Sequence, residues 1–134
     1  MEYISNSEQE TEAFAFDFAK KTKTGDIIIL NGDMGAGKTA FVRGFCKFFD
    51  IPYVSSPTFN IVNEYEGKVR ILHFDLYRLQ GSEELFEIGF EDYLSQDAII
   101  VIEWPHIAIS ELDRSYYTVN IERVSENIRR ITAD

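Results

Sequence analysis

The chain has a single cysteine, Cys46, among its 134 residues. An internal disulfide and a cysteine-built zinc site are therefore excluded, and this usage suits a reducing compartment, the cytoplasm. Its three prolines, at 52, 57 and 105, are scattered and form no Pro/Gly/Ser linker. With no internal repeat and no low-complexity tract, residues 1–134 read as one domain, long enough to bury roughly two thirds of the unfolded surface. No apolar run approaches the ~18 residues of a membrane-spanning helix; the longest, such as Ile27–Leu30 and Ala98–Ile102, have strand length. No membrane association is expected, and the opening Met1-Glu-Tyr-Ile, which runs into the acidic stretch Ser7–Glu12, does not read as a signal peptide. Basic residues are scarce, 13 against 23 acidic, for a formal net charge of −10. Neutralising phosphates needs basic surface, so this balance argues against a protein that grips nucleic acid by itself.

What is present is ordinary globular composition, 45% hydrophobic and 27% charged, which excludes a mainly disordered chain. Ser7 and Glu10 have the spacing of a helix capping box, and Ala13, Phe14, Phe16, Phe18 and Ala19 can supply a buried face up to Lys20. The β-branched run over residues 26–31 reads as a strand buried on both faces. Helical spacing follows over Lys38–Phe49. Phe59–Tyr65 and Val69–Phe74 read as strands joined by a turn at Glu66-Gly67-Lys68. Ser82 caps a predicted helix over Glu83–Ile88, with another around Glu91–Leu94; Ala98–Ile102 is a buried strand, and Tyr116–Val124 with Ile128–Thr132 forms a closing hairpin. The mixture predicts an α/β fold with a mixed sheet.

Gly32-Asp33-Met34-Gly35-Ala36-Gly37-Lys38-Thr39 fits G-x-x-x-x-G-K-[ST] at every fixed position. Average residue usage would produce this by chance in roughly one chain in a few hundred of this length. A buried strand enters the loop and an amphipathic helix leaves it, as a phosphate-binding loop (P-loop) requires. Glycines let successive N–H groups turn towards one anion, and the helix N-terminus adds positive potential. Lys38 would reach the β- and γ-phosphates and the Thr39 hydroxyl would ligate Mg²⁺. A glycine-rich turn with a stray lysine explains neither the spacing nor the Lys-Thr pair.

Nucleotide hydrolysis or transfer also needs a metal acid and a group that positions the nucleophile. Asp75 and Glu103 stand at the ends of two hydrophobic strand runs, and ligands of open α/β sheets sit outside the carboxyl ends of strands. If those strands run parallel to the one entering the loop, Lys38, Thr39, Asp75 and Glu103 converge on one edge; otherwise each acid is a solvated strand terminus. Ser55–Phe59 is either a γ-phosphate-sensing segment or a plain Ser-Pro turn. Trp104 is either ordinary packing or a lid over the site. Arg78 is either an internal arginine finger or half of an ion pair. His73 is expected to support the Asp75 strand end by hydrogen bonding, His106 to be an exposed loop residue, Arg43 to face solvent or a partner, and Cys46 to be a small core residue. The six acids Glu83, Glu84, Glu87, Glu91, Asp92 and Asp97 read as a solvated face or a docking surface for a basic partner.

In order and at matching spacings, Gly32–Thr39, Ser56-Pro-Thr-Phe59, His73-Phe-Asp-Leu-Tyr-Arg78 and Ile102-Glu-Trp-Pro105 resemble the TsaE family of small bacterial P-loop ATPases, formerly the YjeE type. The first motif is shared by many NTPases, whereas the last three together are specific to this family. The resemblance covers residues from about 7 to 105 and weakens afterwards; Met34 stands where leucine is commoner. It implies a P-loop NTPase fold with a mixed, mostly parallel sheet flanked by helices and carrying antiparallel hairpins. It implies ATP or ADP and Mg²⁺ as cofactors, held by the loop residues Gly32 to Ala40. Lys38 would hold phosphate, Thr39 and Glu103 would ligate Mg²⁺, and Asp75 would orient or activate the hydrolytic water. Thr58 would belong to the γ-phosphate switch and Thr11 would touch the adenine side. The family supports threonylcarbamoyladenosine formation in tRNA with TsaD and TsaB, so those proteins are the implied partners and ATP turnover would reset their complex.

A small-molecule kinase is the alternative, but no arginine-rich lid is present between Gly81 and Asp97, and a GTPase lacks its Asn-Lys-x-Asp stretch. Split at residue 50, the charge is 6 − 8 = −2 for the P-loop half and 7 − 15 = −8 for the rest. The acidic excess thus lies mostly away from the phosphate loop, and any contact with tRNA is expected to be indirect, through a partner.

Overall fold

The computed structural model describes residues 1–57 and 60–134. Among them the elements run β1 (Glu2–Ser5), α1 (Glu8–Ala19), β2 (Ile27–Asn31), α2 (Lys38–Phe48), β3 (Val62–Glu66), β4 (Arg70–Asp75), α3 (Ser82–Glu87), α4 (Phe90–Leu94), β5 (Ile99–Glu103), β6 (Tyr117–Arg123) and β7 (Arg129–Ala133). One sheet takes the order β1-β7-β6-β2-β5-β4-β3. β6, β2, β5 and β4 are mutually parallel, while β3 against β4, β7 against β6 and β1 against β7 are antiparallel. This is the predicted mixed, mostly parallel α/β sheet with its antiparallel hairpins. β1 was absent from the sequence expectation: four residues of mixed polarity carry no strand period, and it is pairing with β7 that makes them a strand.

β2 is apolar at every residue from Ile27 to Leu30 because both of its faces are covered. Ile28 and Leu30 join Ile71, Ile99 and Val101 in a core with α1 and α2 residues, including Ala15, Phe18, Phe41 and Phe45. Ile27 and Ile29 join Leu72, Phe74, Ile100 and Ile102 in a second core with Leu85, Phe90 and Leu94 of α3 and α4. The molecule is therefore three-layered, helices on both faces of the sheet.

The start of α1 is capped as its sequence predicts: Ser7 Oγ accepts from the Glu10 N–H at 3.1 Å. The reciprocal bond is displaced by one residue, since Glu10 Oε1 accepts from the Asn6 N–H rather than that of Ser7. The buried face of α1 is Thr11, Ala15, Phe18 and Ala19, a spacing of about one helical turn. Phe16, expected inside, is outside that stripe, 36% exposed, and rests edge-on against Phe48. α1 and α2 cross so closely that a Cβ on Gly44 would lie 2.1 Å from the Glu12 carbonyl oxygen, so only glycine fits there. α3 begins with Ser82 as its first residue and Gly81 as its cap, not with Ser82 capping.

Candidate nucleotide site

The loop between β2 and α2 is built for close approach of an anion. Gly37, the residue before α2, has φ 109°, in the left-handed region where a side chain is strained, and no side chain caps the helix among the described residues. The first N–H groups of α2 are left to a ligand, at the positive end of the helix. Ala36, Lys38 and Ala40 are buried; Asp33, Met34 and Gly35 form the exposed lip.

The three strands do run parallel, with Leu30 opposite Glu103 and Glu103 opposite Asp75. Period-two alternation then places His73, Asp75, Val101 and Glu103 on the face turned to α1 and α2, in phase with Ile71 and Ile99. Lys38, Asp75 and Glu103 are 7%, 8% and 4% exposed. The Lys38 ammonium donates to the Gly32 carbonyl at 2.5 Å and stands 3.7 Å from Glu103 Oε1. Burial pushes its pKa below the ordinary lysine value, against the opposing pull of Glu103, Asp75 and Asp33. Asp75 Oδ1 accepts from the Tyr77 N–H at 2.9 Å.

These residues line a cavity of about 630 Å³ that also includes Thr39, Ala40, Thr11, Ser56 and Trp104. The Thr11 hydroxyl is already paired with that of Ser5 at 2.7 Å. Trp104 does more than pack: its ring lies 4.3 Å from the Lys38 ammonium and edge-on to Tyr77, with its backbone at φ 53°, strained for a bulky residue. Thr58 lies outside the described residues.

Two expectations change. His73 bonds not the Asp75 strand end but Glu103 on the next strand, Nε2 to Oε2 at 2.5 Å. Arg43, expected to face solvent or a partner, lines the cavity, as does Arg129; Arg78, open between an arginine finger and an ion pair, is exposed and is not among the lining residues. Arg43 pairs with Glu12 across α1 and α2 at 3.1 Å. Arg129 was missed from sequence. Its guanidinium donates to the carbonyls of Ala36 at 2.8 Å and Gly35 at 3.3 Å, and to those of Ser125 and Glu126 in the β6–β7 turn. It ties the phosphate loop to the hairpin beside it. The available signal was its phase, for Arg129 shares the inward face of β7 with buried Ile131 and Ala133. Cys46 is buried, with its thiol pushed up to about 12 by burial, an unreactive core residue as expected. His106 is exposed, also as expected. The acidic residues of α3 and α4 are mostly exposed, on the layer away from the phosphate loop.

A family model described as threonylcarbamoyl adenosine biosynthesis protein TsaE matches residues 5–131. The match thus runs on through β6 and into β7, beyond the point near residue 105 where the motifs stop. The chain is 43% identical over 129 residues to the tRNA threonylcarbamoyladenosine biosynthesis protein TsaE of Rickettsia felis, covering 94% of this chain and 75% of that protein. It is 36% identical over 126 residues to the protein of that name in Bacillus subtilis, covering 92% and 78%. The crystal structure of Bacillus subtilis YdiB superposes with a TM-score of 0.81 at 29% identity, covering 99% of this chain and 83% of that one. With a family match over nearly its whole length and relatives this similar, the chain belongs to the TsaE family.

Proposed function

We propose that residues 1–134 form one P-loop domain that binds ATP and ADP with Mg²⁺, hydrolyses ATP, and serves tRNA threonylcarbamoyladenosine biosynthesis in the cytoplasm as the ATPase partner of TsaD and TsaB. The observation that carries this reading is the burial of Lys38, Asp75 and Glu103 at one sheet edge beside an uncapped helix N-terminus. A basic loop lysine and two buried carboxylates have no shared purpose in a purely structural edge.

The donor set suits Mg²⁺. Glu103 and Asp75 carboxylates and the Thr39 hydroxyl are hard oxygen donors, and no three His, Cys, Asp or Glu side chains among the described residues could hold a metal unaided. That pattern fits a cation that arrives with the phosphates, for which Thr39 and Glu103 are the proposed ligands. When bound, Mg²⁺ supplies charge neutralisation to the phosphate oxygens. The chain's residues do the rest. Lys38 exchanges the Gly32 carbonyl for phosphate oxygen, and the backbone N–H groups from Asp33 to Ala40 cradle the phosphates. Asp75, held by the Tyr77 N–H, orients the attacking water and accepts its proton. The role proposed for Thr58 is in the γ-phosphate switch, and that proposed for Thr11 is contact with the adenine side. Turnover by the isolated chain is expected to be slow and stimulated in the complex. With a net charge of −10, contact with tRNA is left to the partners.

The test is ATP hydrolysis and nucleotide-dependent association with TsaB and TsaD, using the parent chain, Lys38→Ala and Glu103→Ala. Both substitutions should abolish hydrolysis; unchanged turnover in both overturns the site. Normal tRNA modification in its absence, with no nucleotide-dependent association, overturns the cellular role and spares the P-loop.

A further inference from the structure

His73 is 1% exposed in the middle of the sheet, and among the described residues its one polar contact is with Glu103. In register it stands opposite Val101, so Glu103 is its diagonal neighbour on the same face, within reach of two long side chains. Nε2 meets Glu103 Oε2 at 2.5 Å, while the other oxygen, Oε1, lies 3.7 Å from the Lys38 ammonium. The two carboxylate oxygens therefore have different jobs: one is anchored in the sheet, the other is turned to the phosphate-loop lysine. Facing a carboxylate oxygen, Nε2 carries a hydrogen and donates it to Glu103. Nδ1 is buried and has no hydrogen-bond partner among the described residues. A leucine or phenylalanine would fill the same volume without burying an unpaired nitrogen. What the imidazole provides is a fixed carboxylate. A carboxylate that ligates a cation is commonly oriented by a hydrogen-bonding neighbour, and removing such a neighbour weakens cation affinity about 10–100-fold.

We infer that His73 is the positioning residue for Glu103: by holding Oε2 it keeps Oε1 directed at the lysine side of the site, where the cation and phosphates are received. This rests on the proposed reading of Glu103 as a cation ligand. Strand register sets where Glu103 leaves β5 but not its side-chain torsions, and the loop lysine stands beside Oε1 alone.

The experiment measures Mn²⁺ binding to the full chain in the presence of ADP, reading free Mn²⁺ by electron paramagnetic resonance, alongside ADP binding without cation and thermal melting. His73→Leu should weaken Mn²⁺ about 10–100-fold, with cation-free ADP binding unchanged. His73→Gln, whose amide N–H reaches the ε position, should stay nearer the parent than His73→Leu, whereas His73→Asn, with its N–H at the δ position, should resemble leucine. Should His73→Leu fail to fold, the Gln and Asn pair decides, and equal Mn²⁺ affinities in those two overturn the inference. So does a His73→Gln as weak as His73→Leu. Glu103→Ala separates the two levels. If it binds Mn²⁺ like the parent, the ligand reading of Glu103 falls. If it loses Mn²⁺ while His73→Leu and His73→Asn keep parental affinity, the positioning role falls and the ligand reading stands.

Discussion

Neighbouring residues of β4 and β5 meet opposite fates. Leu72, Phe74, Ile100 and Ile102 point to the α3–α4 layer and are buried apolar side chains right up to the strand ends. On the face towards α1 and α2, Ile71, Ile99 and Val101 are core, but His73, Asp75 and Glu103 follow them, all buried and polar. The difference teaches where this fold can carry chemistry. The α3–α4 face is continuous oil and tolerates no charge. The other face changes from core to site over two residues per strand, because β2 ends there in a loop whose lysine stands beside the buried acids.

Substitutions can break that contrast. The largest effect is expected from a charge on the apolar face: Ile100→Asp, at a fully buried site, should cost about 5 kcal/mol or more and leave no cooperative melt by circular dichroism. The reverse exercise on the other face should spare the fold. In Asp75→Asn the side-chain oxygen can still accept from the Tyr77 N–H, so the melting temperature should hold while ATP turnover falls about 10²–10⁴-fold. A melting temperature that collapses instead would make Asp75 structural and erase the distinction.

Smaller effects test the layer above the site. Gly44→Ala forces a Cβ into the Glu12 backbone, a clash that no rotamer change relieves, and should cost about 3 kcal/mol in chemical denaturation. Glu12→Gln should cost up to about 1 kcal/mol at neutral pH. Burial raises the Glu12 carboxyl, but Lys47 and Arg43 lower it by more, so its pKa lies below the ordinary 4.5. A carboxylate lowered in the fold stabilises above its unfolded pKa and loses that contribution as pH falls through the folded one. The stability gap between parent and Glu12→Gln should therefore close as the pH drops below about 4.5.

Much of the site was legible because its signals are local. The P-loop is eight consecutive residues whose glycines and Lys-Thr pair have one joint use, and Asp75 and Glu103 each punctuate a hydrophobic run. Less legible was whatever depends on partners far along the chain. β1 is a strand because β7 pairs with it some 125 residues later, as in Tyr3 opposite Ile131. Arg129 bonds the carbonyls of Ala36 and Gly35 across more than 90 residues, and nothing within its own segment names those partners. The inward stripe of α1 fell on Ala15 and Thr11 rather than Ala13 and Phe16, since a helix this rich in phenylalanine offers more than one apolar face and the sheet chooses among them.

Legible in the sequence alone were the phosphate-loop motif, most of the strands and helices, and the two acids that end β4 and β5, because spacing and hydrophobic period act over a few residues. Only the tertiary structure decided that His73 belongs to Glu103, that Trp104 covers Lys38 and that Arg129 clamps the loop. Each of those is a contact between separate strands or loops. Strand order and register set such contacts, and they follow from how the whole sheet buries its two faces rather than from any one segment.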